Sequence, residues 1–151
     1  MEFVTHSPEQ TRQLGARLAK ALKPGAVVAF TGDLGAGKTA FVRGMAQGLG
    51  VAGRVTSPTF TILQVHEEGR LPLYHFDWYR LESAEELYEL AMDEYLQNGG
   101  VAVVEWPCRA PEAVPACRLE VEITPLGDTD RALRFTPVGG FRELDWEGWI
   151  S

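Results

Sequence analysis

The sequence predicts an α/β fold on a mixed, partly parallel central sheet, and three observations predict it. Short continuous apolar runs at residues 26–30 (AVVAF) and 101–104 (VAVV) suit strands buried on both faces. Helical patterns of apolar residues interleave with these runs along the chain. Two successive strand patterns near the C-terminus, 118–124 and 131–136, add an antiparallel portion.

Taken in order, Ser7-Pro8-Glu9-Gln10 reads as a helix start, with Ser7 as cap, Pro8 at the first helical position and Gln10 completing a capping box. Leu14, Leu18 and Leu22 then recur on one face, and Pro24-Gly25 stops the helix. The strand at 26–30 leads through a glycine-rich turn into a helix over 38–49, with Phe41, Val42, Met45 and Leu49 inward and Gly50 as its stop. Residues 59–65 and 71–76 read as strands joined by a polar turn at 66–70. Ser83-Ala84-Glu85-Glu86 is a second capping box, opening a helix to about residue 96. Asn98-Gly99-Gly100 turns the chain into the strand at 101–105, and a proline-rich connection follows. Strand order is not readable from the sequence.

The 151 residues fit one domain, spanning 1–151, with the packing of a tail at 137–151 left open. Hydrophobic residues make up 45% and charged residues 23%, as in soluble globular chains, and no apolar run nears the roughly 20 residues of a membrane-spanning helix. The N-terminus has neither a basic nor an apolar leader region, so a cytoplasmic location without membrane association is expected. Cys108 and Cys117 are expected as free thiols. The net charge of −7, only three lysines (Lys20, Lys23, Lys38) and scattered arginines argue against unaided nucleic-acid binding, which relies on neutralising phosphates, with a local arginine patch made by the fold left open. A role in an RNA pathway would run through a partner, with RNA engaged only indirectly.

Gly32-Asp33-Leu34-Gly35-Ala36-Gly37-Lys38-Thr39 matches G-x-x-x-x-G-K-[ST] at every fixed position. Backbone N–H groups that converge on a triphosphate need glycines able to take positive φ, and the following helix adds its N-terminal dipole. Lys38 supplies a point charge for the β- and γ-phosphates, and the Thr39 hydroxyl is a Mg²⁺ ligand. By average residue usage the pattern arises by chance in roughly half a per cent of chains this long. Its place between a buried strand and a helix favours the phosphate cradle over a glycine-rich turn, and with it a P-loop NTPase-like three-layer fold.

A P-loop ATPase needs a carboxylate near the metal, at the end of a neighbouring apolar strand. Glu105 and Asp77 both qualify, each against the alternative of a solvated acid at a strand end. His75 and Asp77 share a strand face, but a transition-metal pair would need further ligands that the sequence does not offer, so His75 reads as a packing or hydrogen-bonding residue. The polar, proline-braked segment Arg54-Val55-Thr56-Ser57-Pro58-Thr59-Phe60 is a candidate γ-phosphate switch or a surface loop. No Asn-Lys-x-Asp element for guanine is present, since Asn98 is the sole asparagine, so ATP is the expected nucleotide.

Four ordered motifs together resemble the TsaE (YjeE-like) family, the ATPase component of tRNA threonylcarbamoyladenosine synthesis: Gly32 to Thr39, Thr56-Ser57-Pro58-Thr59-Phe60, His75-Phe76-Asp77-Trp78-Tyr79-Arg80-Leu81, and Val104-Glu105-Trp106-Pro107. Glu94-Tyr95-Leu96 also fits, and the resemblance runs from about Ser7 to Arg134. It implies that Asp33, Leu34, Gly35, Ala36, Gly37, Lys38 and Thr39 hold the phosphates, and that Thr39 and Glu105 ligate Mg²⁺. Asp77 would be a second essential acid near the metal or the attacking water. Trp106 would serve nucleotide response or partner contact, Ser7 and Arg131 would lie near the nucleotide, and Thr56, Ser57 and Thr59 would form the switch. Trp78, Ala40 and Ala91 depart from the family pattern without removing a phosphate or metal ligand. Cys108 and the tail with Trp146 and Trp149 have no clear family counterpart; packing of the tail on the domain is the favoured reading, with an exposed aromatic docking surface the alternative.

The resulting expectation is an ATPase, slow alone because no arginine reads as a built-in finger. The resemblance implies, as partners, the TsaD- and TsaB-like proteins that install threonylcarbamoyl on the tRNA anticodon loop. A small-molecule kinase is the rival, disfavoured because residues 107–115 are too proline-broken for an arginine-bearing helical lid. A nucleotide-sensing module with negligible hydrolysis is the third reading.

Overall fold

In the computed structural model the chain runs β1 (Glu2–Thr5), α1 (Pro8–Ala21), β2 (Val27–Thr31), α2 (Lys38–Leu49), β3 (Leu63–His66), β4 (Leu73–Asp77), β5 (Val101–Glu105), two short 3-10 turns (Pro107–Arg109 and Pro111–Ala113), β6 (Arg118–Pro125) and β7 (Arg131–Val138). The structure describes residues 1–31, 37–51, 63–79, 81–82, 85, 94–95, 98–142 and 144–149. Residues 32–36, the switch candidates Thr56, Ser57 and Thr59, and most of the helix expected over 83–96 lie outside them.

The strands form one mixed seven-stranded sheet in the order β1-β7-β6-β2-β5-β4-β3. The middle four, β6, β2, β5 and β4, are parallel neighbours, and β3 and β7 run antiparallel to β4 and β6. β2 and β5 are apolar along both faces because both faces are covered. Val28 and Phe30 of β2 join α1, α2, Val101 and Val103 in one core. Val27 faces the other way, into a second cluster with Tyr74, Phe76, Trp78, Ala102 and Val104, against which Tyr95, Ala113 and Val114 pack. No helix among the described residues is long and apolar enough to cross a membrane.

Local signals set the helix ends. Ser7 Oγ accepts from Gln10 N–H at 3.1 Å, and Gln10 Oε1 in return accepts from His6 N–H at 2.7 Å. The reciprocal bond thus reaches one residue further back than the expected box. The helix α2 has the expected bounds, and Gly50 closes it in the left-handed region at φ 86°. Arg70 ties the β3–β4 turn to this layer, its Nη2 donating to the Ala19 carbonyl at 3.1 Å near the end of α1.

Two features escape the sequence reading. β1 pairs antiparallel with β7, placing Thr5 beside Arg131. Phe3 on β1 then meets Phe135, Trp146 and Trp149, with ring centroids 5.9, 5.9 and 6.3 Å away. Both tryptophans are buried, so the tail packs onto the sheet as expected. Cys108 and Cys117 are free and exposed, also as expected.

Candidate functional site

Parallel strands end together, and at the carboxyl ends of β2, β5 and β4 the register aligns Phe30 with Glu105 and Glu105 with Asp77. Ligands of open α/β sheets bind in the crevice outside such ends. Gly37 caps α2 with φ 85°, a backbone that a side chain rarely adopts, and Lys38 begins the helix only 3% exposed. Thr39 follows on the first turn and is exposed.

The two acids differ sharply. Glu105 is buried, and its Oε2 lies 2.6 Å from His75 Nε2, with the imidazole side chain 1% exposed. His75 therefore hydrogen-bonds, one of the two roles expected of it. Asp77 is half-buried at the end of β4, where its Oδ1 accepts from Tyr79 N–H at 3.0 Å. Burial pushes the Asp77 carboxyl above the usual carboxylate range, and the Glu105 charge adds to the rise. The Tyr79 N–H, His75 and Lys38 oppose it.

Because folding raises this pKa, the protonated carboxyl is favoured on folding; its contribution is present at low pH and lost as pH rises through the folded-state value. Asp77→Asn keeps the oxygen that Tyr79 needs and removes the buried charge. We expect its Tm, without nucleotide or metal, to exceed wild type by a few degrees at pH 7, with the gain vanishing below the ordinary carboxylate range. A thermal-melt series in pH that shows a loss at neutrality, or a pH-independent gain, contradicts this account.

Aromatic groups close the other side. Trp106 is the one non-glycine among the described residues with positive φ, at 60°, a costly backbone that re-aims the chain directly after Glu105. Its ring lies under Lys38 Nζ, 5.1 Å from the centroid, and 4.9 Å from the Tyr79 ring, which Arg109 covers at 5.4 Å. The sequence singled out Trp106 but neither Tyr79 nor Arg109 as its neighbours; the one available signal was Tyr79 two residues after Asp77.

Arg131 packs against Gly37, its Cγ 3.6 Å from where a β-carbon on that glycine would stand. The guanidinium is aimed by the preceding turn, Nη1 donating to the carbonyls of Gly127 at 3.0 Å and Asp130 at 2.8 Å, while buried Nε has no partner among the described residues. Ser7 sits two residues beyond Thr5, the register partner of Arg131, with its hydroxyl capping α1. The structure thus gathers Gly37, Lys38, Asp77, Glu105, Trp106 and Arg131 around one end of the sheet. Asp33, Leu34, Gly35 and Ala36 lie outside the described residues. Among the described residues no three His, Cys, Asp or Glu side chains group as a metal cage. A cavity of about 510 Å³ at the opposite end of β2, beside Leu22, Val27 and Phe141, holds none of these residues.

Comparison with known proteins gives a consistent result. The family model described as "Threonylcarbamoyl adenosine biosynthesis protein TsaE" matches residues 5–133. A Bacillus subtilis (strain 168) protein described as "tRNA threonylcarbamoyladenosine biosynthesis protein TsaE" is 44% identical over 95% of this chain and 90% of its own. A Treponema pallidum protein of the same description is 40% identical over 88% of this chain and 98% of its own. A solved structure described as Bacillus subtilis YdiB superposes with a TM-score of 0.77 at 41% identity, covering 92% of this chain and 86% of that one.

Proposed function

The chain belongs to the TsaE family, of the tRNA threonylcarbamoyladenosine pathway, and on that premise we propose that it is a cytoplasmic P-loop ATPase acting as an accessory subunit of the modifying machinery. The observation that carries this reading is the buried Lys38, which opens α2 at the end of the sheet where Glu105 and Asp77 end neighbouring parallel strands. Gly37 in the left-handed region suits a loop whose amides face a polyphosphate.

In this reading residues Asp33 to Thr39 wrap the ATP phosphates, with Arg131 and Ser7 at the nucleotide. The γ-phosphoryl group is attacked in line by water, which Asp77 orients, while Lys38 neutralises the developing charge. The donor set fits Mg²⁺: Thr39 hydroxyl, Glu105 and, directly or through water, Asp77 are all oxygen donors, few enough for a cation that keeps several waters. When bound, that ion supplies charge neutralisation at the phosphate oxygens. Thr56, Ser57 and Thr59 sense the γ-phosphate. Trp106, against Lys38 and beside exposed Tyr79, links the site to a partner surface.

TsaD- and TsaB-like proteins are the proposed partners, and tRNA is met through them, consistent with the net charge of −7. The test is ATP turnover by the pure chain, then with those proteins and tRNA. We expect slow hydrolysis alone and stimulation of about tenfold or more on adding the partners, as when a missing charge is supplied in trans. Fast turnover alone that partners leave unchanged would defeat the accessory-subunit reading, and phosphate transfer to a metabolite would replace it by a kinase.

A further inference from the structure

We propose that His75 is the positioning residue that makes Glu105 a one-oxygen ligand and thereby biases the nucleotide site towards Mg²⁺ over Ca²⁺. This rests on the reading of Glu105 as a metal ligand given above.

The geometry is specific. His75 stands opposite Val103 in the β4–β5 register and Glu105 opposite Asp77, so the imidazole reaches diagonally along one sheet face to the carboxylate. Its Nε2 lies 2.6 Å from Oε2, at the short end of hydrogen-bond distances. An ionised carboxylate only accepts, so Nε2 carries the hydrogen and Oε2 is committed to it. The other ring nitrogen, Nδ1, is buried without a partner among the described residues. Glu105 is therefore the one side chain this imidazole serves by hydrogen bonding among the described residues. Packing alone would favour an apolar residue there, since burying a polar ring costs free energy unless its hydrogen bonds are made.

A carboxylate pinned through one oxygen presents the other. Mg²⁺ demands near-octahedral order, which the narrow bite of a two-oxygen carboxylate distorts, whereas Ca²⁺ takes six to eight oxygens and commonly chelates a carboxylate through both. Removing the pin frees Glu105 to rotate and chelate, which favours the larger ion. Partners of this kind around metal ligands typically change metal affinity by about 10–100-fold.

The test is calorimetry of a non-hydrolysable ATP analogue with Mg²⁺ and, separately, with Ca²⁺, on wild type, His75→Phe, His75→Asn and His75→Gln, with folding checked by circular dichroism. The readout is the Mg²⁺/Ca²⁺ affinity ratio within each protein, from which any general loss of affinity cancels. We expect the ratio to fall about tenfold in His75→Phe and His75→Asn. In His75→Gln it should return towards wild type, because the longer amide can still donate to Oε2. An unchanged ratio in His75→Phe and His75→Asn overturns the proposal, as does a Gln variant no better than Phe. Should His75→Phe fail to fold, the Asn and Gln pair decides. Absence of nucleotide binding by wild type with either ion overturns the proposed function and this assignment with it. Binding with an unmoved ratio overturns the assignment alone.

Discussion

Gly44→Val should lower Tm by on the order of 10 °C, a loss of about 3 kcal/mol or more. The helices α1 and α2 approach so closely that a β-carbon on Gly44 would overlap the Arg12 carbonyl oxygen and stand 2.7 Å from its carbon. Backbone cannot swing aside as a side-chain tip can. Gly15 repeats the contact from the opposite helix, its β-carbon overlapping the Phe41 carbonyl oxygen, and Gly48 does so against the Ala16 carbonyl oxygen at 2.5 Å. Alanine is worth about 1 kcal/mol more than glycine within a helix. Gly44→Ala should nonetheless melt below wild type, because relieving the overlap means parting the helices and opening the core around Phe41 and Met45. Displacement of α2 would also carry Lys38 away from the strand ends, so nucleotide affinity should fall with stability. Gly127→Ala, which meets nothing within 4 Å among the described residues, is the control and should stay within about 0.5 kcal/mol of wild type. A Gly44→Val protein that melts with wild type would show that the two helices are not held at this separation.

What the sequence made legible divides by range. The bounds of α2, the Ser7 cap and the core strands were readable because each is signalled within a few residues, by a glycine in the left-handed region, a capping side chain or an apolar run. The strand β1 was not, since four residues with one inward aromatic carry no periodicity and gain their partner only when β7 arrives some 130 positions later. Trp146 and Trp149 were visible as apolar residues, but their contacts with Phe3 and Phe135 depend on that same pairing. At the site, Lys38, Asp77 and Glu105 could be named from motif and strand ends, and Trp106 through the family resemblance alone. The His75–Glu105 bond could not, because it requires β4 and β5 to be parallel neighbours, and strand order is a non-local property. The α1–α2 contact left only the spacing of Gly44 and Gly48, one helical turn apart, as a faint trace.

Lys38→Ala should reduce ATP hydrolysis in the partner-stimulated state by about 10²–10³-fold, the scale on which a preorganised charge aimed at a transition state acts. The lysine is nearly buried, its ammonium lies 5.1 Å above the Trp106 ring, and it is close enough to Asp77 to oppose the rise of that carboxyl's pKa. Contact with the indole is worth about 0.5–2 kcal/mol, so some loss of stability accompanies the loss of charge. Lys38→Met retains the aliphatic stem and separates the two: it should recover packing and not turnover. The charge has a second signature that needs no nucleotide. Without Lys38 nothing on α2 opposes the burial of Asp77, so the stabilisation gained by Asp77→Asn at pH 7 should be larger in the Lys38→Met background than in wild type. Its pH dependence should also shift upward, since the folded-state pKa of Asp77 rises further. Turnover of Lys38→Ala within a factor of about three of wild type would remove Lys38 from the chemistry. An unchanged Asp77→Asn increment would show instead that the ammonium and the carboxyl do not share one field, and that the strand ends and the start of α2 do not form a single site.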